Sequence, residues 1–212
     1  MSAATDPGRD CPLCPRLVAF RETWRAKEPS WHNAPVPTFG SAGARLLIVG
    51  LAPGLRGANR TGRPFTGDFA GDLLYRTMLA FGFASGAYGA SPDDGLVLVD
   101  AAIANAVRCV PPENKPTPAE TGTCRQFLAA TIAAMPNLVA ILVLGRIAHD
   151  SAVVALGIKR AAVPFTHGEV HSVRDGMTLH DSYHCSRYNT NTGRLTEPMF
   201  RGVFAGIRER LT

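Results

Sequence analysis

The chain has 212 residues, 46% of them hydrophobic, with a formal net charge of +5 and a pI of about 9.2. That supplies one core, so a single domain over residues 1–212 is expected. The longest apolar runs, such as Leu138 to Leu144, are too short to span a bilayer, which excludes a membrane protein of helical type. The basic charge permits a polyanionic partner without proving one, because the arginines and lysines are scattered rather than clustered.

In chain order, Met1 to Asp10 has no apolar signal core, so secretion is not expected and a cytoplasmic, reducing location is. Cysteines there bind metal or do chemistry more often than they form disulfides. The segment 1–40 carries a tight pair, Cys11-Pro12-Leu13-Cys14. The first strand is read at Arg45 to Gly50, followed by a Gly/Pro-rich loop through Asp68. Such a loop exposes backbone amides to a planar ligand or a phosphate, and its Gly50, Leu51 and Ala52 lie nearest the strand end. Phe65 either stacks on a base or plugs the core. Asp68 is an N-cap candidate for a helix over Gly71 to Phe81, or a catalytic carboxylate.

A second strand is read at Leu96 to Ala102, then Cys109 and Cys124, with 14 residues between them, including four prolines. Thr117, Pro118 and Glu120 make a helix start for Pro118 to Ala134. A third strand, Val139 to Gly145, leads into a helix over Ile147 to Leu156, and a fourth strand is read at Met177 to Ser182. The polar loop Tyr183 to Arg194 follows, and a helix over Glu197 to Leu211 closes the chain. His184 opens that loop as a candidate for stabilising a developing anion, and its Arg and Asn residues are candidate phosphate contacts.

Alternating strands and helices predict an α/β fold, a three-layer sandwich with a central, mostly parallel four-stranded sheet flanked by helices. Ligands bind beyond the C-terminal strand ends of such sheets, where both motif-rich loops fall. Four thiolates suit zinc or an iron–sulfur cluster. Only the first pair has the spacing of a zinc knuckle, which favours a [4Fe-4S] cluster; four unrelated buried thiols are the remaining reading.

These motifs together resemble the uracil-DNA glycosylase superfamily, and within it the family 5 iron–sulfur enzymes. The resemblance rests on Cys-x-x-Cys, GLAPG, NRTGRPFTGD, VRCVPPENKPTP, the Cys109/Cys124 pair, VLGRIAHDS, PFTHG and the His-x-Ser to TGRLT loop, in that order over nearly the whole chain. It implies a hydrolase that excises uracil from DNA and acts as a monomer, with a broad deaminated-base glycosylase as the competing enzyme reading; no lysine stands among the candidate site residues to form a Schiff base, so a monofunctional enzyme is expected. It implies that Cys11, Cys14, Cys109 and Cys124 ligate a [4Fe-4S] cluster and that Phe65 stacks on the flipped base. Asp68 or Asn114 would serve the attacking water, His184 would hydrogen-bond the departing base, and Ser186, Arg187, Asn189 and Arg194 would contact DNA.

Three positions bear on which branch this is. Leu51 stands where family 4 relatives usually carry Glu. Asn105 stands where many family 5 members have a small residue; an amide there pairs with uracil and predicts a narrower preference. Cys185 replaces the proline that usually follows the loop histidine, and nothing marks it as a cluster ligand. The competing reading is a non-catalytic iron–sulfur module for DNA binding or redox sensing, against which Asp68 and His184 argue together.

Overall fold

The computed structural model describes residues 5–174 and 176–212; the reading made for Met1 to Asp10 falls partly on residues 1–4, outside the described residues. The main sheet has the order β1-β5-β2-β6-β8-β7, with β1 at Phe39–Gly40, β2 at Leu46–Gly50, β5 at Ala101–Asn105, β6 at Ala140–Leu144, β7 at Val170–Arg174 and β8 at Met177–Ser182. The four inner strands are parallel and the two edge strands antiparallel, so the expected four-stranded sheet is the centre of a mixed six-stranded one. The short edge strand β1 and the β7 strand, with its alternating exposed side chains, lack the continuous apolar run that reveals a buried strand.

Successive side chains of the inner strands face opposite layers. Leu46, Ile48, Ile103 and Leu142 pack with α3 (Phe69–Ala80) and α7 (Glu197–Leu211), through Leu74, Phe200 and Phe204. Leu47, Val49, Ala102, Ile141 and Val143 pack with α4 (Pro118–Ala133) and α5 (Arg146–Ala155), through Leu128, Ala148 and Ala152. The result is the expected three-layer sandwich. Helix α4 begins with a full capping box between Thr117 and Glu120, which satisfies two otherwise unpaired amides.

The expected strand Leu96 to Ala102 is two strands in two sheets. Val97–Leu98 (β4) pairs with Ala84–Ser85 (β3) in a small ribbon, and the chain then turns at Asp100, φ 52°, into β5. The Asp100 carboxylate accepts hydrogen bonds from the Arg45 amide at 2.8 Å and Arg45 Nε at 2.7 Å, which explains the break. As a consequence β5 runs on to Asn105 and places that residue at its C-terminal tip.

Helix α1 (Pro15–Lys27) is not foreseen by the apolar pattern, because it buries only Leu17 and Arg21. Two loops also contain short helices, α2 (Ala58–Thr61) and α6 (Arg187–Asn191). Among the described residues no helix is long and apolar enough to cross a membrane.

Candidate active site

After β2 the chain crosses to β5 on one side and then to β6 on the other, which opens a crevice at the C-terminal end of β2. A pocket of about 660 Å³ lies there, lined among others by Leu51, Ala52, Phe65, Asp68, Asn105, Asn114, His184, Ser186 and Arg187. Residues far apart in sequence thus meet where both motif-rich loops were expected to.

The floor depends on Gly50. A Cβ at that position would lie 2.6 Å from Phe65 Cζ and would also collide with Asn105 Oδ1. Asn105 is 2% exposed, and its Oδ1 has no hydrogen-bond partner among the described residues. A buried orphan acceptor is costly, of order 1–3 kcal/mol, unless a ligand supplies its partner.

Phe65 sits at φ 53°, a region a bulky residue rarely adopts, and its surroundings enforce it. Tyr75 Oη donates to the Pro64 carbonyl at 2.6 Å and Tyr88 Oη to the Phe65 carbonyl at 3.2 Å. Arg63 forms a bidentate pair with Asp94 at 2.8 and 2.7 Å, both side chains almost fully buried, and its Nε donates to Thr66 Oγ1 at 2.7 Å. The Arg63 guanidinium holds the Asp94 carboxyl well below the usual carboxylate range. Phe65 belongs to the core, as the plug reading expects, and also lines the pocket. Its ring lies 6.0 Å from the His184 ring, tilted by 30°.

Asp68 is the expected N-cap, and it also lines the pocket. Its Oδ1 accepts the Gly71 amide at 3.2 Å as the N-cap of α3. Its Oδ2 lies against the turn at Gly54 and Gly57, where a Cβ would come within 3.0 and 2.5 Å. Burial raises its pKa, opposed by the Gly71 and Ala70 amides. Burial alone takes His184 from 6.5 down to about 4, so its imidazole is neutral at pH 7. Asn114 stands exposed at the pocket mouth, following Glu113, both at φ 56°.

The loop after His184 is more ordered than its polar sequence suggests. Ser186 caps α6, accepting the Asn189 amide at 3.4 Å, and Asn189 Nδ2 donates to the His184 carbonyl at 2.8 Å. Arg187 lies over Phe69 at 5.1 Å, Arg194 over Tyr183 at 4.6 Å, and Tyr188 is 72% exposed. A second cleft of about 430 Å³ adjoins the first, sharing Leu51 and His184 and adding Arg146, Phe165, Tyr183, Asn189 and Arg194. Arg146 lines this cleft and is not singled out by the sequence reading, and Tyr188 projects from the expected DNA-contacting loop. The first directly follows the glycine that ends a predicted strand, and the second is an aromatic in an otherwise polar loop.

Cys11, Cys14, Cys109 and Cys124 line one narrow gap with Leu17, Val107 and Phe127. Burial pushes the Cys14 and Cys124 thiols up and Cys109 to about 12, and the cysteines raise one another as neighbouring charges would. The Arg108 amide donates to Cys124 Sγ at 3.3 Å. Cys185 lies elsewhere, fully buried behind the pocket, with its thiol 3.5 Å from the Ala70 carbonyl.

The Uracil DNA glycosylase superfamily model matches residues 37–208. The chain is 44% identical to a Type-5 uracil-DNA glycosylase of Thermus thermophilus, covering 91% of this chain and 90% of that protein. It is 40% identical to a Type-5 uracil-DNA glycosylase of Pyrobaculum aerophilum, covering 88% and 83%. A Type-4 uracil-DNA glycosylase of Archaeoglobus fulgidus is 31% identical over 65% of the chain.

Proposed function

The chain belongs to the uracil-DNA glycosylase superfamily, and from that premise we propose that it is a DNA repair enzyme that hydrolyses the N-glycosidic bond of uracil, releasing the base and leaving an abasic site. One observation carries this reading: Phe65, Asp68, Asn105 and His184 converge on a single pocket at the C-terminal edge of the sheet. At about 660 Å³ the pocket has the size range of small-ligand sites and accommodates a nucleotide turned out of the helix.

In this reading Phe65 stacks on the extruded base while the Asn105 amide pairs with its edge. Uracil departs as an anion, and neutral His184 donates a hydrogen bond where that charge develops. The sugar becomes cationic, so the Asp68 carboxylate opposite stabilises it, as carboxylates do in glycoside hydrolysis. Asp68 and Asn114 line the same pocket and together hold the attacking water. Among the described residues no lysine lines the pocket to form a Schiff base, which supports a monofunctional enzyme. Ser186, Arg187, Asn189 and Arg194 form the DNA-contacting loop, with Asn189 also tying it to His184.

We assign a [4Fe-4S] cluster to Cys11, Cys14, Cys109 and Cys124. The four side chains line one narrow gap, which brings the N-terminal pair to the pair from the middle of the chain. The wide Cys109/Cys124 spacing favours that cluster over a zinc knuckle, and burial raises the Cys14, Cys109 and Cys124 thiols, so a cationic centre is needed to hold them as thiolates. The four ligands would join the N-terminal segment to the loop preceding α4, through Cys109, and to α4 itself, through Cys124; the group would supply a structural tie rather than bond-breaking chemistry. We read the chain as one domain that acts as a monomer on deaminated DNA in the cytoplasm.

The test is excision from oligonucleotides carrying one uracil, hypoxanthine or xanthine, read on gels after alkali. Uracil is expected to be removed fastest, and Asn105→Ala to erase about 10–100-fold of that preference. An unchanged profile removes Asn105 as the reader, and binding without any alkali-labile product would favour the non-catalytic module.

A further inference from the structure

His149 on α5, His171 on β7 and Asp181 on β8 form a cluster that the glycosylase chemistry does not use. Their ligand atoms are mutually close, yet all are already paired. His149 Nδ1 lies 2.6 Å from Asp181 Oδ1, and Nε2 lies 2.8 Å from the Val163 carbonyl. Asp181 Oδ2 accepts the Thr166 amide at 3.0 Å and His171 Nε2 at 3.2 Å. The cluster is therefore a hydrogen-bond clamp rather than a metal site.

The Val163 carbonyl only accepts, so Nε2 carries a proton, and the Asp181 carboxyl lies in hydrogen-bond reach of Nδ1. Burial disfavours a charged ring, but Asp181, the Val163 carbonyl and Asp150 outweigh it and raise the His149 pKa. The other titratable groups facing the pair are His171, and His167 and His180, which sense the Asp181 charge.

What the clamp holds is the segment 163–168. It is gripped at the Val163 carbonyl, the Thr166 amide and the Gly168 amide, which donates to the Asp181 carbonyl at 2.8 Å. The segment then holds Tyr183: His167 Nδ1 accepts the Tyr183 amide at 3.0 Å, and the two rings stack at 4.8 Å and 10°. Tyr183 directly precedes His184.

We propose that the buried His149–Asp181 pair is a positioning device that sets His184 against the departing base through the 163–168 segment and Tyr183. This rests on the role given to His184 above. The experiment is single-turnover excision of uracil by His149→Asn and His167→Ala, each alone and combined with His184→Ala. Each single variant should slow the chemical step about 10–100-fold, as loss of a supporting contact does elsewhere, with DNA affinity nearly unchanged. In the His184→Ala background neither should cause further loss. Additive losses, or an unchanged rate in a folded variant, overturn the proposal. If His149→Asn does not fold, His167→Ala decides alone, because it leaves the buried pair intact. Amide exchange over residues 182–186 should accelerate in both variants, and unchanged exchange also overturns the coupling. A wild-type chain that removes no uracil would sink the functional reading, while the exchange rates would still decide this one.

Discussion

The pocket and the cysteine-bearing N-terminal region are held in opposite ways. Around the pocket the protein's own groups over-determine the geometry: Arg63 with Asp94, Tyr75 and Tyr88 force Phe65 into a strained conformation against the core. The N-terminal region has little core of its own, with Leu17, Val107 and Cys124 as its buried apolar cluster. Polar ties secure the rest. Arg21 reaches the Cys11 carbonyl at 3.2 Å, Arg25 reaches Asp10 at 2.7 Å, and Arg16 reaches Glu120 at 2.7 Å. A catalytic site needs fixed side chains, so it is built on buried bonds. A segment that shares so small an apolar cluster gains from an added cross-link, the role proposed for the four cysteines.

Three experiments would break or sharpen that contrast. The largest effect is expected from Asp94→Ala, which leaves a buried Arg63 unpaired and should cost about 3–5 kcal/mol in denaturant unfolding. Excision should fall as the Phe65 loop relaxes, while iron content and visible absorbance stay at wild-type levels. Loss of iron in this variant would mean the two regions are not independently held. Cys11→Ser should do the reverse, losing iron and visible absorbance and roughly 2–4 kcal/mol of stability, by analogy with removing a native cross-link. Full stability and activity without iron would refute the structural role of the cluster.

The smallest and most graded effect is acid sensitivity. Burial holds His184 and His180 at about 4 against an ordinary 6.5. The folded state therefore binds fewer protons than the unfolded state between those values. Stability is greatest above pH 6.5 and falls as pH drops toward 4. His180→Gln should flatten that slope in thermal melts from pH 7 to 4, and an unaltered slope would assign the sensitivity elsewhere. His149 works in the opposite sense, since its raised pKa contributes stability at low pH that is lost as pH rises through it.

The inner strands were legible because strands buried on both faces must be apolar throughout, as in Leu46–Gly50 and Ala140–Leu144. Helix α4 announced itself through Thr117, Pro118 and Glu120, whose capping chemistry is local. Helix α1 gave no such signal, since its inward face is one leucine and one arginine. The break at Asp100 was hidden because it depends on Arg45, distant in sequence.

By itself, then, the sequence determined the layer architecture, the strand ends where the site lies, and the residue types that meet there, because period, capping and motif spacing are local properties. Only the tertiary structure decided that Asn105 ends a strand with an oxygen that has no partner among the described residues, beneath the pocket, and that Phe65 belongs to the core while lining that pocket. It alone joined His149 to His184, because a hydrogen-bond relay across α5, β8 and the 163–168 segment exists only once the sheet has brought those elements together.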